Sequence, residues 1–364
     1  MQVVINRNDL LEWLSVVEKA IPGRSSFVPV EGIYMGREGD SLTLCANDLE
    51  MAIRLSTRDV RGEGDGATIL PKQFVQIAKQ LPGDDVNITV KDDRAVIKSG
   101  SSEFKLNCID ADSFPMFDGS YVDKPYFEVE GQALKEMIAK TTFCAASDSG
   151  SASPVFRGVH VNSNDGVLTC MASDSYRLAC YEKLEINFPD PLDVIVPGKL
   201  LAEVGRIVSD SDKIKVYIGN NELVFTVNDY AISARLLDGE YPDLKRAFPE
   251  NPETKIKIDQ QLFASTINRA RLLANKQSEM ISLSIADVLE IKSQSEVGQM
   301  NEELPIHVEG EPLEQLFINA KYLLEGVKAF DDKDLHIDFH GEFGAVVIKE
   351  DGFKYLALPI KKPK

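Results

Sequence analysis

The sequence predicts an α+β protein built from three similar modules, on three observations. Apolar residues recur at helical spacing in six segments, strand-like alternation fills much of the rest, and a set of landmarks repeats at a constant offset. Asp48 in Asn-Asp-Leu-Glu-Met-Ala-Ile aligns with Asp174 in Ser-Asp-Ser-Tyr-Arg-Leu-Ala, 126 residues later. Pro71 of Leu-Pro-Lys meets Pro197 of Val-Pro-Gly-Lys at the same offset, and Pro115 of Asp-Ser-Phe-Pro meets Pro242 of Gly-Glu-Tyr-Pro at 127. The third copy is anchored on a helix over 321–330 and has no counterpart of Asp-Ser-Tyr-Arg-Leu.

Each module reads as an amphipathic helix, several alternating strands, a second helix and further strands. In the first, Leu10, Leu14, Val17 and Ile21 form one helical stripe with Trp13 beside it. Strands follow at 41–45, 52–55, 86–90, 95–98 and 103–107, separated in many places by turn-forming Gly, Asp and Asn. The second module offers strands at 215–218, 223–227 and 232–237, and the third at 335–339, 345–348 and 354–358. Helices are expected at 6–24, 71–82, 131–140, 197–208, 260–276 and 312–328. Hairpins interrupted by helices exclude a parallel doubly wound sheet. Polar, proline-containing stretches near Asp123 and Glu250 divide the chain into domains at 1–123, 124–250 and 251–364.

At 364 residues the chain is too long for one typical domain, and its 43% hydrophobic content supplies ample core. No apolar stretch approaches a membrane span. The start, Met-Gln-Val-Val-Ile with an early Arg7, lacks the pattern of a signal peptide. Five scattered cysteines without a CxxC predict reduced thiols in a cytoplasmic protein.

The net charge of −18 argues against holding nucleic acid by bulk electrostatics. That charge is unevenly placed. The six predicted helices carry 14 basic and 7 acidic residues, a balance of +7, which leaves −25 on the remainder. Three basic pairs lie seven residues apart on second helices: Lys72 with Lys79, Lys199 with Arg206, and Lys321 with Lys328. Seven residues is almost two turns, so each pair shares one stripe, with Phe74, Leu201 or Leu323 turned elsewhere.

Catalytic signatures are missing. The chain has no GxSxG elbow, no GxxxxGK[ST] loop and no HExxH. Its glycine-rich Gly62-Glu63-Gly64-Asp65-Gly66 is acidic and reads as a hairpin loop rather than a phosphate cradle. His336 and His340 share a strand face with Asp338 but lie about 13 Å apart, too far to grip one ion. The polar run 331–334 does not fit a calcium loop. We therefore expect no enzyme activity, no metal and no cofactor.

Three modules with basic helices, the segment Ala-Ser-Asp-Ser-Tyr-Arg-Leu-Ala (172–179), Asp-Gly-Glu-Tyr-Pro-Asp-Leu (238–244) and Tyr-Leu-Ala-Leu-Pro-Ile (355–360) resemble the bacterial beta sliding clamp family. Arg24 in Pro-Gly-Arg and the Asn-Asp-Leu-Glu-Met segment (47–51) fit the same pattern, and the resemblance covers essentially the whole chain. It implies a non-catalytic processivity factor: a head-to-tail homodimer closed into a six-domain ring around double-stranded DNA, helices inside and antiparallel sheets outside. Positive helices in an acidic shell then make sense, because a topologically held ring needs only enough charge to centre the duplex. The DNA-facing residues would be Arg24, Lys72, Lys79, Lys199, Arg206, Lys321 and Lys328, with Lys135, Lys140, Arg269 and Arg271 as further candidates.

The resemblance also implies an apolar groove for short peptides of the replicative DNA polymerase, the clamp loader and other clamp-binding proteins. Its residues would be Phe156, Ser173, Ser175, Tyr176, Arg177, Leu178, Pro242, Arg246, Ala247, Ser278, Asn319, Tyr322, Phe343, Ala345, Leu356, Leu358, Pro359 and Ile360. Ser175-Tyr176 stands where family members often have Gly-His, and Leu358 where Met is common, which puts the peptide preference in question. The basic tail Lys361-Lys362-Pro363-Lys364 lies beside these positions in sequence. For the dimer contact the resemblance points to Phe104 and Leu106 on one side and Leu272 and Leu273 on the other. A peptide-binding scaffold that does not encircle DNA is the competing reading, and the paired basic stripes argue against it.

Overall fold

A computed structural model describes residues 1–117, 119–147, 153–164, 166–185, 191–219 and 221–361. Two compact units divide it, one of Met1–Gln132 with Lys199–Leu236, the other of Ala133–Gly198 with Leu237–Lys364.

The first stretch of chain carries β1 (Gln2–Asn6), α1 (Arg7–Val17), β2 (Gly32–Glu38), β3 (Ser41–Asn47), β4 (Met51–Thr57), β5 (Arg61–Glu63), β6 (Gly66–Pro71), α2 (Gln73–Gln80), β7 (Asp85–Lys91), β8 (Arg94–Ser99) and β9 (Ser102–Asn107). Next come β10 (Tyr126–Glu130), α3 (Gly131–Thr141), β11 (Gly158–Asn164), β12 (Val167–Ser173), β13 (Arg177–Glu185), β14 (Asp193–Pro197) and α4 (Gly198–Ile207). Three strands follow, β15 (Lys213–Ile218), β16 (Glu222–Val227) and β17 (Tyr230–Arg235). The last stretch holds β18 (Thr254–Asp259), α5 (Gln260–Leu272), β19 (Met280–Ile285), β20 (Val288–Ser295), β21 (Gly298–Pro305), β22 (His307–Gly310) and β23 (Leu313–Asn319). It ends with α6 (Ala320–Lys328), β24 (Asp334–Phe339), β25 (Val346–Glu350) and β26 (Phe353–Ala357).

In the first unit a five-stranded sheet runs β5-β1-β7-β8-β9, and an eight-stranded sheet runs β10-β15-β16-β17-β4-β3-β2-β6. The second unit has a nine-stranded sheet, β14-β11-β12-β13-β26-β25-β24-β18-β22, and a four-stranded one, β21-β20-β19-β23. The two large sheets are composite. Strands of the first repeat join those of the second where β4 pairs with β17, and strands of the second join the third where β13 pairs with β26.

Helices start where side-chain caps satisfy their free N–H groups. Asn6 Oδ1 accepts from Asn8, Asp259 Oδ1 from Leu262, and Asn319 Oδ1 from Tyr322, at 2.9, 2.8 and 3.1 Å. Phe74, Leu201 and Leu323 are buried, so the basic pairs do lie off the apolar stripe of their helices.

Two helical expectations need correction. The first helix stops at Val17, followed by one 3-10 turn over Glu18–Ala20, because Pro22 and Gly23 break the pattern. More consequentially, 312–319 is the strand β23 rather than the start of a helix. The register shifts between Leu283 and Ile285, pairing Leu316 with Leu283 and Leu313 with Ile285. That irregularity turns two leucines three residues apart to the same buried face, which imitates helical spacing. Gly62–Gly66 is not the hairpin loop expected: β5 pairs with β1 and β6 with β2, so the segment passes between two sheets, with Gly64 at φ 70° in the link.

All five cysteines are free thiols, and Cys45, Cys144, Cys170 and Cys180 are buried. No helix among the described residues is long and apolar enough to cross a membrane.

Candidate functional site

The turn at 173–177 organises the second unit. Asp174 Oδ1 accepts the backbone N–H of Tyr176 and of Arg177 at 3.0 and 3.1 Å, and Ser173 Oγ accepts that of Ser175 at 3.1 Å. Ser175 holds φ 77°, a conformation costing an L-residue about 1 kcal/mol or more. The turn thereby aims Arg177 inward. Its Nε reaches Asp174 Oδ2 at 3.0 Å, another guanidinium nitrogen pairs with Glu325, and a third donates to the Phe143 carbonyl at 2.6 Å. The Tyr322 ring lies 4.4 Å from the guanidinium carbon, a cation–π contact. Burial works against the charge of Arg177, and its acidic partners outweigh that, so the group stays above its ordinary pKa.

Next to this turn, β13 and β26 pair Leu178 with Leu356. These two residues, Met171, Val347, Ala345, Val155 and Tyr241 form one buried apolar cluster, with Phe156, Leu237, Leu244 and Phe248 packed against it half-buried. Tyr241 is fixed on two sides: His160 stacks on it at 4.9 Å, and Phe156 meets it edge-on at 5.5 Å. Asp193 Oδ1 lies 2.7 Å from His160 Nε2 and orients the imidazole.

Of the groove residues expected from sequence, Phe156, Leu178, Ala345 and Leu356 share this cluster. Ser173, Ser175, Tyr176 and Arg177 form the turn, and Leu358 N–H donates to Tyr176 O at 2.9 Å. Asn319 caps α6 and also donates to Ser278 O at 3.1 Å, while Tyr322 stacks on Tyr176 with ring centres 6.4 Å apart. Ile360 N–H donates to Phe317 O at 2.7 Å. Pro242 and Ala247 are exposed, Pro359 is half-buried, Phe343 is 79% exposed, and Arg246 pairs with Asp243 at 3.5 Å. The last three residues of the basic tail, 362–364, lie outside the described residues.

Sequence reasoning missed Glu325, Phe143, Tyr241 and the His160–Asp193 pair. Asp174 was visible as a repeat landmark, but its role as the hydrogen-bonded hub of the turn was not.

The basic candidates divide by their partners. Lys72 lies 3.7 Å from Glu31 and donates to Gly23 O, Lys79 pairs with Glu18 at 3.2 Å, Lys199 pairs with Asp48, and Arg206 with Glu203. Arg24, Lys321 and Lys328 are exposed and have no ion pair among the described residues. Lys140 corrects the expectation. It is buried, held by Glu350, by Asp331 at 2.9 Å and by the Phe353 ring at 5.1 Å, and is not available to a phosphate. Arg269 and Arg271 are engaged by Glu302 at 2.9 Å and Glu279 at 2.7 Å, and Lys135 is half-buried.

Two of the expected dimer residues lie on an edge strand and two at the end of a helix. Phe104 and Leu106 are half-buried on β9, the edge of the five-stranded sheet. Leu272 ends α5 with 79% exposure, and Leu273 lies near the start of β21, 3.8 Å from where a Cβ on Gly298 would stand. β21 is itself the edge of the four-stranded sheet, and Val297 beside it is 83% exposed.

Three modules that fuse their sheets pairwise, each with a basic second helix, are the build of a DNA sliding clamp. The chain matches the family models for the DNA polymerase III beta subunit: the N-terminal domain over residues 1–118, the central domain over 128–243 and the C-terminal domain over 245–361. It is 34% identical over 379 aligned positions to the beta sliding clamp of Staphylococcus aureus, covering 99% of both chains. Among solved structures it superposes on the DNA polymerase sliding clamp of Bacillus subtilis with a TM-score of 0.93 at 27% identity, covering all of both chains. The beta subunit of the Streptococcus pyogenes DNA polymerase gives 0.92 at 25% identity, again over both full chains. The chain belongs to the DNA polymerase III beta subunit family, the sliding-clamp processivity factors.

Proposed function

We propose that two copies of this chain close head to tail into a ring of six domains that encircles duplex DNA. The carrying observation is the strand order. Of the six module junctions a closed ring needs, each chain makes two internally, at β4–β17 and β13–β26, and β9 in the first module and β21 in the third each end a sheet. Pairing β9 of one copy with β21 of the other would cover both edges along with exposed Leu272 and Val297. Phe104, Leu106, Leu272 and Leu273 are the contact residues of that interface. The three domains would be 1–123, 124–250 and 251–364.

Arg24, Lys321 and Lys328 would supply freely mobile charge to the DNA, and Lys72, Lys79, Lys199 and Arg206 charge already balanced by a local carboxylate. Such a lining favours sliding over tight binding. The Leu178–Leu356 groove would take extended peptides from the replicative polymerase, the clamp loader and other partners. Apolar anchors would pack on the half-buried rim of the cluster, Phe156, Leu237, Leu244 and Phe248, and the turn at 173–177 would orient the peptide backbone. The protein performs no chemistry itself on this reading. Its buried thiols support that: burial pushes Cys45 and Cys180 up to about 12, away from the reactive thiolate.

Retention on DNA tests the proposal. Protein loaded by a clamp loader onto nicked circular DNA should stay bound through gel filtration at high salt and be released when the circle is cut. Equal retention on circular and linear DNA would overturn encirclement.

A further inference from the structure

The turn beside the Leu178 groove has a twin in the first unit. Asp48 Oδ1 accepts the backbone N–H of Glu50 at 3.1 Å and of Met51 at 2.8 Å, as Asp174 Oδ1 does for Tyr176 and Arg177. Leu49 holds φ 75° where Ser175 holds 77°. An incoming strand closes both turns with the same bond: Arg235 N–H to Glu50 O at 3.3 Å, and Leu358 N–H to Tyr176 O at 2.9 Å. The register agrees too, with Met51 opposite Ala234 and Arg177 opposite Ala357.

Beside the first turn lies a cleft of about 610 Å³, with Met51, Ala52, Met116, Phe117, Ser233 and Arg235 in its lining. Register equates Ala52 with Leu178 and Ser233 with Leu356, so smaller side chains floor this cleft and leave room for a bulkier guest. Two large apolar side chains are exposed in its lining, Leu49 at 56% and Met116 at 39%. Leucine rarely adopts a left-handed backbone, so the turn holds an apolar side chain in the open at a conformational cost. Arg235 stands where the other site has Leu358, and neither it nor Lys124, also in the lining, has an ion pair among the described residues. Glu50 and Glu222 share the lining, which disfavours a strongly acidic guest.

We propose that this cleft is a second peptide-docking site, taking an extended segment of a partner protein with an aromatic anchor beside a single carboxylate. The apolar lining would bury the ring, and Arg235 with Lys124 would meet the carboxylate in a forked, charge-assisted contact. The proposal borrows the peptide-binding reading of the Leu178 groove, and its test keeps the two apart.

A random dodecapeptide library displayed on phage is panned on the full-length Leu178→Asp protein, in which the first groove is closed. The expected outcome is enrichment of Phe or Trp next to a lone Asp or Glu. Enriched peptides, synthesised singly, should lose about tenfold or more in affinity on Arg235→Glu and on Met116→Asp. Both residues are exposed, so thermal unfolding of these variants should match the parent. No enrichment, or peptides that bind Arg235→Glu and Met116→Asp as well as the parent, overturns the second site. Panning on the wild type in parallel reports the first groove: its peptides should vanish with Leu178→Asp and ignore Arg235→Glu. Their absence would fault that reading alone.

Discussion

The turns at 47–51 and 173–177 share one backbone and differ in what they bury. In both, an aspartate oxygen gathers two N–H groups around a left-handed residue. In the second unit the free carboxylate oxygen of Asp174 turns to Arg177, which sits among Glu325, Phe143 and Tyr322 with 6% of its surface exposed. In the first unit the corresponding residue is Met51, also buried, and Asp48 instead pairs with Lys199 on α4. The comparison teaches that the repeat preserves the hydrogen-bonded backbone while the electrostatics drift. One aspartate serves a buried ionic hub, and its twin neutralises a basic-stripe lysine.

The largest contrast should appear in binding. Leu178→Asp puts a charge into the apolar cluster and should abolish binding of a polymerase-derived clamp-binding peptide, a loss above about 100-fold, with the dimer intact by light scattering. Ala52→Asp, at the equivalent position, should leave that peptide's affinity unchanged. If both substitutions weakened it alike, the two regions would not be separate.

Stability should separate them next. Arg177→Met strands the carboxylates of Asp174 and Glu325, and should cost about 3 kcal/mol by urea unfolding, the lower end for a broken buried pair because Glu325 is partly exposed. Met51→Ala removes only packing and should cost about 2 kcal/mol. The converse change, Met51→Arg, should destabilise despite restoring the sequence of the other turn, since Glu203, which stands on α4 where Glu325 stands on α6, is already paired with Lys19 and Arg206.

Charge balance predicts a smaller difference. Replacing Lys321 and Lys328 by alanine should lower the salt dependence of DNA binding by about 0.9 per lost phosphate contact. The same pair of changes at Lys72 and Lys79 should do less, because Glu31 and Glu18 already hold those ammonium groups.

Smallest is the response to mild acid. All four histidines belong to the second unit, and burial holds His340 below its usual pKa. Its neutral form is therefore favoured by folding. The associated stability is present above the unfolded value of about 6.5 and is lost as pH falls through the folded value. His340→Gln should flatten the decline in melting temperature between about pH 6.5 and 5, and a substitution in the histidine-free first unit should not.

Legibility in the sequence followed the range of the interactions. Strands 41–45, 86–90, 103–107, 223–227 and 335–339 were readable because alternation is local, and β3, β7, β9, β16 and β24 stand there. The strand β23 was misread because an irregular register gave it a helical spacing. Asp48 and Asp174 were visible as a repeat, whereas Arg177–Glu325 and Lys140–Glu350 were not, since nothing local announces a partner so distant in sequence. Lys140 looked like a surface lysine for that reason. The groove residues came from a family resemblance rather than a pattern, because Leu178 and Leu356 have the periodicity of ordinary core.

Negative-stain electron microscopy of the purified native protein, read as class averages, tests the central claim most directly. The account predicts six-lobed rings with an open centre, formed by two chains joined through β9 and β21. Open or compact particles without a hole, at concentrations where the dimer persists, would contradict it and leave a peptide-binding scaffold in its place.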